Sequence, residues 1–304
     1  MMSGDKIEEI LVSICCLTYN HERYIRQALD SFLMQKTNFI FEIVIHEDAS
    51  TDNTQEIIKE YVEKYPKIFN VLLQTENQRS KYKSGMNPRF NYPRAKGKYI
   101  ALCEGDDYWT DPYKLQKQVD IMETEENFNV CYHRVEVEVN KKLSSDENDI
   151  TEKRYNKILN KSALDITTLL EYGNFIHTCS VLFRKNALKF PYEMFKSPVG
   201  DYFLYIVLTK DGGCIKKINE SMGVYRRGVG IYSSLSKKTM SNKILTYQTC
   251  ILSLLEKEEH RKIMLNKILK RQKTLFKEAD SNNLPFKTLI NLLLSKGKNK
   301  LQWK

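Results

Sequence analysis

One stretch constrains the fold more than any other: a short apolar run that ends in a cluster of acids. Tyr99, Ile100, Ala101, Leu102 and Cys103 have the length and character of a buried strand. Glu104, Asp106 and Asp107 follow within four residues, with Gly105 between them to let the backbone turn. Asp111-Pro112 then suits the start of a helix over Lys114–Met122. A core strand thus delivers three carboxylates to one sheet edge. Clustered carboxylates repel, and a hard divalent cation, Mg²⁺ or Mn²⁺, relieves the repulsion and also binds substrate phosphates. A solvated acidic turn is the alternative. The strand before the acids and the pair Tyr108-Trp109 behind them favour a site.

The rest of the chain alternates strand and helix. Ile10–Leu17 is apolar and β-rich, and Thr18-Tyr19-Asn20-His21-Glu22 follows it. Ile25, Ala28, Leu29, Phe32 and Leu33 then recur at helical spacing. Phe41–His46 is a second strand, and Glu47–Thr54 opens a helix through Ile57, Ile58, Tyr61 and Val62. Phe69–Gln74 is a third strand. This order predicts an α/β fold with a doubly wound, mostly parallel sheet flanked by helices. Polar loops after such strands are where ligands bind. Capping by Asn20 explains the first loop almost as well.

Between Thr75 and Ala95 the chain is polar and basic, with Pro88 and Pro93. It reads as a solvated loop whose cations, Arg79, Lys81, Lys83, Arg89 and Arg94, could meet a diphosphate. Val135–Val139 alternates with period two and predicts an exposed or edge strand. Leu143–Lys161 is a linker candidate.

The whole of Cys103-Glu104-Gly105-Asp106-Asp107-Tyr108-Trp109 resembles the extended Asp-x-Asp motif of family 2 glycosyltransferases, enzymes of GT-A fold. The resemblance runs over residues 10 to 233. It implies a metal held by Asp106 and Asp107, and a nucleoside-diphosphate-sugar donor contacted by Glu104 and Asp106. Here Glu104 stands where Asp is commoner. The resemblance further implies donor contacts from Thr18, Tyr19, Asn20 and Glu22, and a base-reading carboxylate at Asp48.

Beyond the linker, Ile166–Tyr172 predicts a short helix and Phe175–Lys185 a strand. That segment resembles the family's acceptor-pocket lining, which makes His177 a candidate acceptor contact, with Trp109 a second. Gly200-Asp201 precedes Phe203, Leu204, Val207 and Leu208 at helical spacing. An N-cap aspartate explains the position. The resemblance implies more, a catalytic base at Asp201. Gly223–Ser233 is glycine-rich, with Arg226 and Arg227, and suits either a surface turn or a loop closing on the donor's diphosphate.

Charge separates the end of the chain from the rest. From Ser236 to Lys304 there are 16 Lys and Arg against 5 Asp and Glu, while residues 1–235 carry 32 against 33. The whole net charge of +10 therefore belongs to a helical extension over 236–304. Such a tail can lie on an anionic membrane or pack on the catalytic unit. No aromatic-basic platform points to nucleic acid. The catalytic unit is then 1–235, with a nucleotide half at about 1–140 and an acceptor half at about 160–235.

Seven cysteines without Cys-x-x-Cys spacing argue for reduced thiols. No stretch reaches the ~18 apolar residues that span a bilayer, and the charged N-terminus lacks a signal core. The expectation is a cytoplasmic enzyme, which a membrane-binding tail would make peripheral at the inner face of the cell membrane.

These readings converge on an inverting transferase that moves a sugar, in all expectation from a UDP-sugar, to a glycan or lipid-linked hydroxyl. A sugar nucleotidyltransferase is the rival, but it needs a glycine-rich loop after the first strand, and Leu17–Arg23 has no glycine. A non-catalytic glycan- or membrane-binding module is the third reading, against which intact Asp106, Asp107 and Asp201 stand.

Overall fold

The computed structural model describes residues 9–145, 163–229 and 236–278. Within these residues nine strands make one sheet. The first half is β1 (Ile10–Thr18), α1 (Ile25–Leu33), β2 (Ile40–Glu47), α2 (Thr54–Lys64), β3 (Phe69–Leu73) and β4 (Tyr99–Leu102). Its strands run parallel in the order β3-β2-β1-β4. A short helix, α3 (Gln78–Tyr82), and a π-helical turn at Asn87–Asn91 stand between β3 and β4.

The second half adds β5 (Tyr108–Trp109), α4 (Lys114–Thr124), β6 (Phe128–Val139), β7 (Lys142–Ser145), α5 (Ile166–Tyr172), β8 (Val181–Arg184), α6 (Gly200–Thr209) and β9 (Cys214–Arg226). Here the pairing is mixed. β8 runs antiparallel between β4 and β6, β9 is parallel to β6, and β5 is antiparallel to β9. The mostly parallel expectation therefore holds for the first half, while the second half mixes parallel and antiparallel pairs.

Period two along the strands builds two cores. Val12, Ile14, Cys16, Ile43, Ile45 and Ala101 face α1, α2 and α4. Cys15, Val44, Ile100, Leu102, Val130 and Phe183 face the other way, onto α5 and α6. Burial of a strand on both faces favours the continuous apolar runs seen in β1 and β2.

The second core continues into the extension. Helices α7 (Lys237–Leu254) and α8 (Glu258–Glu278) bring Ile251, Leu255, Met264 and Ile268 into the cluster that holds Leu169, Leu170, Tyr202 and Tyr205. Their apolar face is turned onto the protein. Leu265 and Leu269 stay exposed on the outer side of α8. Residues 279–304, the remainder of the basic extension, lie outside the described residues. No described helix is long and apolar enough to cross a membrane. All seven cysteines are free thiols.

Three expectations change. Val135–Val139 is not an edge: Glu136, Val137 and Glu138 pair with β7 on one side and β9 on the other. Its period-two pattern reflects two differently packed faces. The segment 75–95 is not a solvated loop either. Met86, Asn91, Tyr92 and Ala95 are buried, and Arg94 is used up within the fold, donating to the Ile45 and Asn70 carbonyls. Third, the linker candidate begins with strand residues Leu143–Ser145, and its remainder falls outside the described residues.

Candidate active site

The parallel strands β1, β2 and β4 end side by side, and their following loops form one edge. The acidic turn leaves β4 under tight control. Gly105 donates its amide to the Leu17 carbonyl at 2.9 Å. A Cβ there would lie 2.8 Å from Thr18 Oγ1 and 3.0 Å from His21 Nδ1, so only glycine fits. Thr18 thus sits directly beneath the turn, with its hydroxyl buried and no described hydrogen-bond partner.

Asp106 and Asp107 diverge from that turn. Asp106 faces the cleft, with Oδ2 4.0 Å from His21 Nε2. No hydrogen bond from the described residues reaches its carboxylate. Asp107 points into the protein. Its Oδ1 accepts the Arg226 amide at 2.8 Å. Burial, with the neighbouring Asp106 charge, pushes the Asp107 carboxyl well above the ordinary carboxylate range.

Glu104 is half-buried on the cleft side of the turn. Burial pushes its carboxyl up to about 8, the Asp106 and Asp201 charges add to the rise, and Arg79 opposes it. Asp201, from the second half of the chain, thus lies within electrostatic reach of Glu104. Asp201 stands in the first turn of α6, and the capping position belongs to Val199. The expected N-cap role is therefore absent. Its Oδ2 instead accepts from Asn174 Nδ2 at 2.8 Å and Thr178 Oγ1 at 3.4 Å, and its Oδ1 from the Tyr202 amide at 2.7 Å. Burial raises its pKa, and these donors temper the rise.

The loops after β1 and β2 are laced together. Asn20 takes a left-handed backbone, φ 54°, and its Oδ1 accepts the Thr51 amide at 2.8 Å. Glu22 accepts from the amide and side chain of Asn53, and its own amide donates to Asp52. Asn20 and Glu22 therefore brace the edge, while Tyr19 between them and the strand is exposed. Asp48 is buried at the end of β2. Its two oxygens accept the Gln78 and Arg79 amides at 2.7 and 3.0 Å, which fixes the start of α3 and brings Arg79 to the cleft.

Three candidate residues turn out to serve the fold. Trp109 does not reach an acceptor: it is 2% exposed, packs against Phe32 with the rings tilted, and donates Nε1–H to the Cys179 carbonyl at 2.7 Å. Arg226 is not open to a diphosphate. Its guanidinium donates to the Asp106 carbonyl, Glu138 and Gln27, between the rings of Tyr24 and Tyr108. It clamps the acidic turn from behind. Asp107, engaged by the amide of that same Arg226, is part of the clamp rather than of the open cleft. Arg227 follows at the exposed turn after β9, its amide donating to Glu138; residues 230–233 of the glycine-rich stretch lie outside the described residues.

His177 does reach the cleft. Its ring lies 4.7 Å from that of Tyr225. The Tyr225 phenol is pushed up by burial and by the charges of Asp107, Glu104 and Asp106. Sequence reasoning gave no role to Tyr225, His21, Asn174 or Thr178. Strand alternation could have found Tyr225, since its neighbour Arg226 faces the other side. Nothing local marks Asn174 or Thr178 as holders of Asp201.

The site can offer two carboxylates that no described hydrogen bond engages, the buried Asp106 and the half-buried Glu104. The donor set fits a divalent cation that takes one or two protein carboxylates and completes its shell with phosphates and water. Among the described residues no group of three or more His, Cys, Asp or Glu forms a closed metal cage.

Comparison with known proteins agrees with this geometry. The model of the family described as Glycosyl transferase family 2 matches residues 13–189, more than half of the chain. An uncharacterized protein of Mycobacterium bovis is 38% identical over 226 residues, which are 73% of this chain and 61% of that protein. An uncharacterized glycosyltransferase of a Nostoc species is 29% identical over 222 residues, 71% of this chain and 64% of its own length. The chain thus spans less than two thirds of these curated relatives. Among solved structures, a fragment of S. aureus TarS in complex with UDP superposes with a TM-score of 0.59 at 18% identity, covering 87% of this chain and 72% of that one. A mannosyltransferase from Pyrobaculum calidifontis, in complex with GDP-Man and Mn²⁺, gives 0.57 at 15% identity, covering 98% and 82%. Both share the GT-A fold with this chain.

Proposed function

Since the chain belongs to glycosyl transferase family 2, we propose that it transfers a sugar from a nucleoside-diphosphate donor to an acceptor hydroxyl with inversion. A UDP-sugar is the donor we favour, because TarS, a structural neighbour, has been solved with UDP and with UDP-GlcNAc. The acceptor is a glycan or a lipid-linked saccharide. The observation that carries the proposal is Asp201, held by three donors in the cleft that also contains Glu104 and Asp106.

The base of the donor lies over Asp48, whose oxygens each keep a lone pair beyond the amide they already hold. Thr18 and Tyr19 line that edge, and Asn20 and Glu22 hold it in shape. Glu104, with its carboxyl at about 8, both donates and accepts near neutral pH and suits a ribose diol. Asp106 holds the cation, Mg²⁺ or Mn²⁺. When bound, that cation supplies positive charge to the departing diphosphate. Asp201 takes the proton of the acceptor hydroxyl while that oxygen bonds to the anomeric carbon. The bond from that carbon to the diphosphate oxygen breaks as the new one forms, so a single displacement inverts the centre. A raised carboxylate pKa suits this role, because it makes the carboxylate a stronger base. His177 and Tyr225 form an aromatic wall on the acceptor side.

The test is Asp201→Asn. A panel of UDP-sugars with Mn²⁺, read by thermal shift, identifies the donor. Turnover of that donor should then fall on the order of 10²-fold or more in the variant, since Asn cannot take the proton. UDP affinity should stay near wild type, and stability should fall by about 1–3 kcal/mol, because the amide accepts on one side only. Near-normal turnover would place the base on another residue.

A further inference from the structure

His21 has no part in the function proposed above, yet its ring stands beside the acid that faces the cleft. Its main chain is fixed from two sides. The His21 carbonyl accepts the amides of Tyr24 and Ile25 at 2.9 and 2.8 Å, which starts α1. Its own amide donates to Thr54 Oγ1 at 2.8 Å. The imidazole is thereby set between the loop after β1 and the acidic turn. Nδ1 lies against Gly105, where an added Cβ would come within 3.0 Å of it. Nε2 stands 4.0 Å from Oδ2 of Asp106.

Two buried polar atoms here have no described hydrogen-bond partner, His21 Nδ1 and Thr18 Oγ1. The same added Cβ would meet both, the hydroxyl at 2.8 Å, so they share one small space beside Gly105. Unsatisfied polar atoms in such a place cost stability. Metal binding gives them a use. An imidazole that ligates through one nitrogen carries its proton on the other, and that N–H takes an acceptor fixed behind it. Thr18 Oγ1, with two lone pairs, is the acceptor at hand.

The spacing agrees. At 4.0 Å, Nε2 and Asp106 are too far apart for a hydrogen bond. Two donor atoms that each sit about 2.1 Å from one ion are about 3.0 Å apart as neighbours and about 4.2 Å apart across it. The observed separation falls between these limits. Among the described residues no group of three or more His, Cys, Asp or Glu closes a cage, which leaves further positions to phosphate oxygens and water.

We propose that His21 Nε2 and Asp106 together hold the divalent cation, with Thr18 fixing the imidazole from behind. This rests on the function proposed above. It also chooses between the two cations. Mg²⁺ keeps to oxygen ligands, and an imidazole nitrogen is a softer donor, so the site prefers Mn²⁺.

Full-length protein, with and without ¹⁵N-histidine labelling, is loaded with Mn²⁺ and UDP, and pulsed electron paramagnetic resonance reads nitrogen coupling to the manganese. Unlabelled protein should show ¹⁴N modulation, and labelling should replace it with the ¹⁵N pattern. His21→Gln and His21→Asn keep the main-chain bonds of the wild type and should lose the coupling. His177→Gln, which changes the other cleft imidazole, should keep it. By calorimetry, His21→Gln should weaken Mn²⁺ binding to the UDP-saturated protein about 10- to 100-fold, and Mg²⁺ binding less. Wild-type protein that holds Mn²⁺ and UDP without nitrogen coupling overturns the ligand while the proposed function stands. Coupling that persists in the folded His21 variants, or vanishes in His177→Gln, overturns it as well. Wild-type protein that binds no Mn²⁺ with UDP overturns both this site and the cation's role in the proposed function.

Discussion

The two halves of the sheet hold their functional groups by different means. In the first half, neighbouring loops hold one another. Asn20 reaches Thr51, Glu22 reaches Asn53, and Glu47 accepts the amides of Ala49 and Ser50. The Asn20 and Glu22 contacts join segments that follow adjacent parallel strands, and the Glu47 bonds fold the second of those loops on itself. In the second half, single side chains are held by segments far away in the chain. Asp107 depends on Arg226, and Asp201 on Asn174 and Thr178. The difference teaches that one half is rigid through many modest contacts, and the other through a few that cannot be replaced.

The sharpest way to break this comparison is at the two adjacent acids. Asp106→Ala should abolish Mn²⁺-dependent UDP binding, a loss of 10²-fold or more by calorimetry, with little change in urea stability. Asp107→Ala should do the reverse. It leaves the Arg226 amide buried without an acceptor and should cost about 1–3 kcal/mol. Equal loss of metal-dependent binding with no loss of stability in Asp107→Ala would return it to the metal.

Lys114 tests the second half from behind the site. It is fully buried, with its ammonium 3.9 Å above the Trp109 ring and no described hydrogen-bond partner. Burial pulls its pKa from 10.5 down to about 7. The folded protein thus releases this proton before the unfolded chain does. Between pH 7 and 10.5 the unfolded chain binds the extra proton, so wild-type stability from this group rises with pH across that window. Lys114→Met should be more stable at pH 7, by about 1–3 kcal/mol. Its advantage should shrink as the pH approaches 10.5. A variant less stable at pH 7 would mean that the contact with Trp109 outweighs desolvation.

Asn20 tests the lacing of the first half. Asn20→Gly keeps the left-handed backbone and loses the bond to Thr51, so it should cost about 1 kcal/mol. Asn20→Ala loses both and should cost roughly 1 kcal/mol more. Equal values for the two variants would remove the backbone from the account.

The smallest effect concerns the outer side of α8. Lys262, Leu265, Leu269 and Lys273 are exposed along it. We expect weak binding to anionic vesicles at low salt, lost at physiological salt and in Lys262→Glu/Lys273→Glu. Indifference to such vesicles at low salt would leave the hairpin with its packing role alone.

Much of this protein follows from local pattern. Strands buried on two faces, helices at 3.6 spacing and a glycine that lets three acids turn at a strand end are all features of a few consecutive residues. They place the nucleotide edge, Asp48 and the acidic turn before any contact is known. Tertiary structure decided the rest, because the environment of a side chain depends on which distant segment arrives beside it. It turned Asp106 outward and Asp107 inward although they are neighbours. Arg226 became a clamp and Trp109 a core residue. The described part of the basic extension folded onto the sheet, because the apolar face of α7 and α8 found a larger apolar surface on α5 and α6.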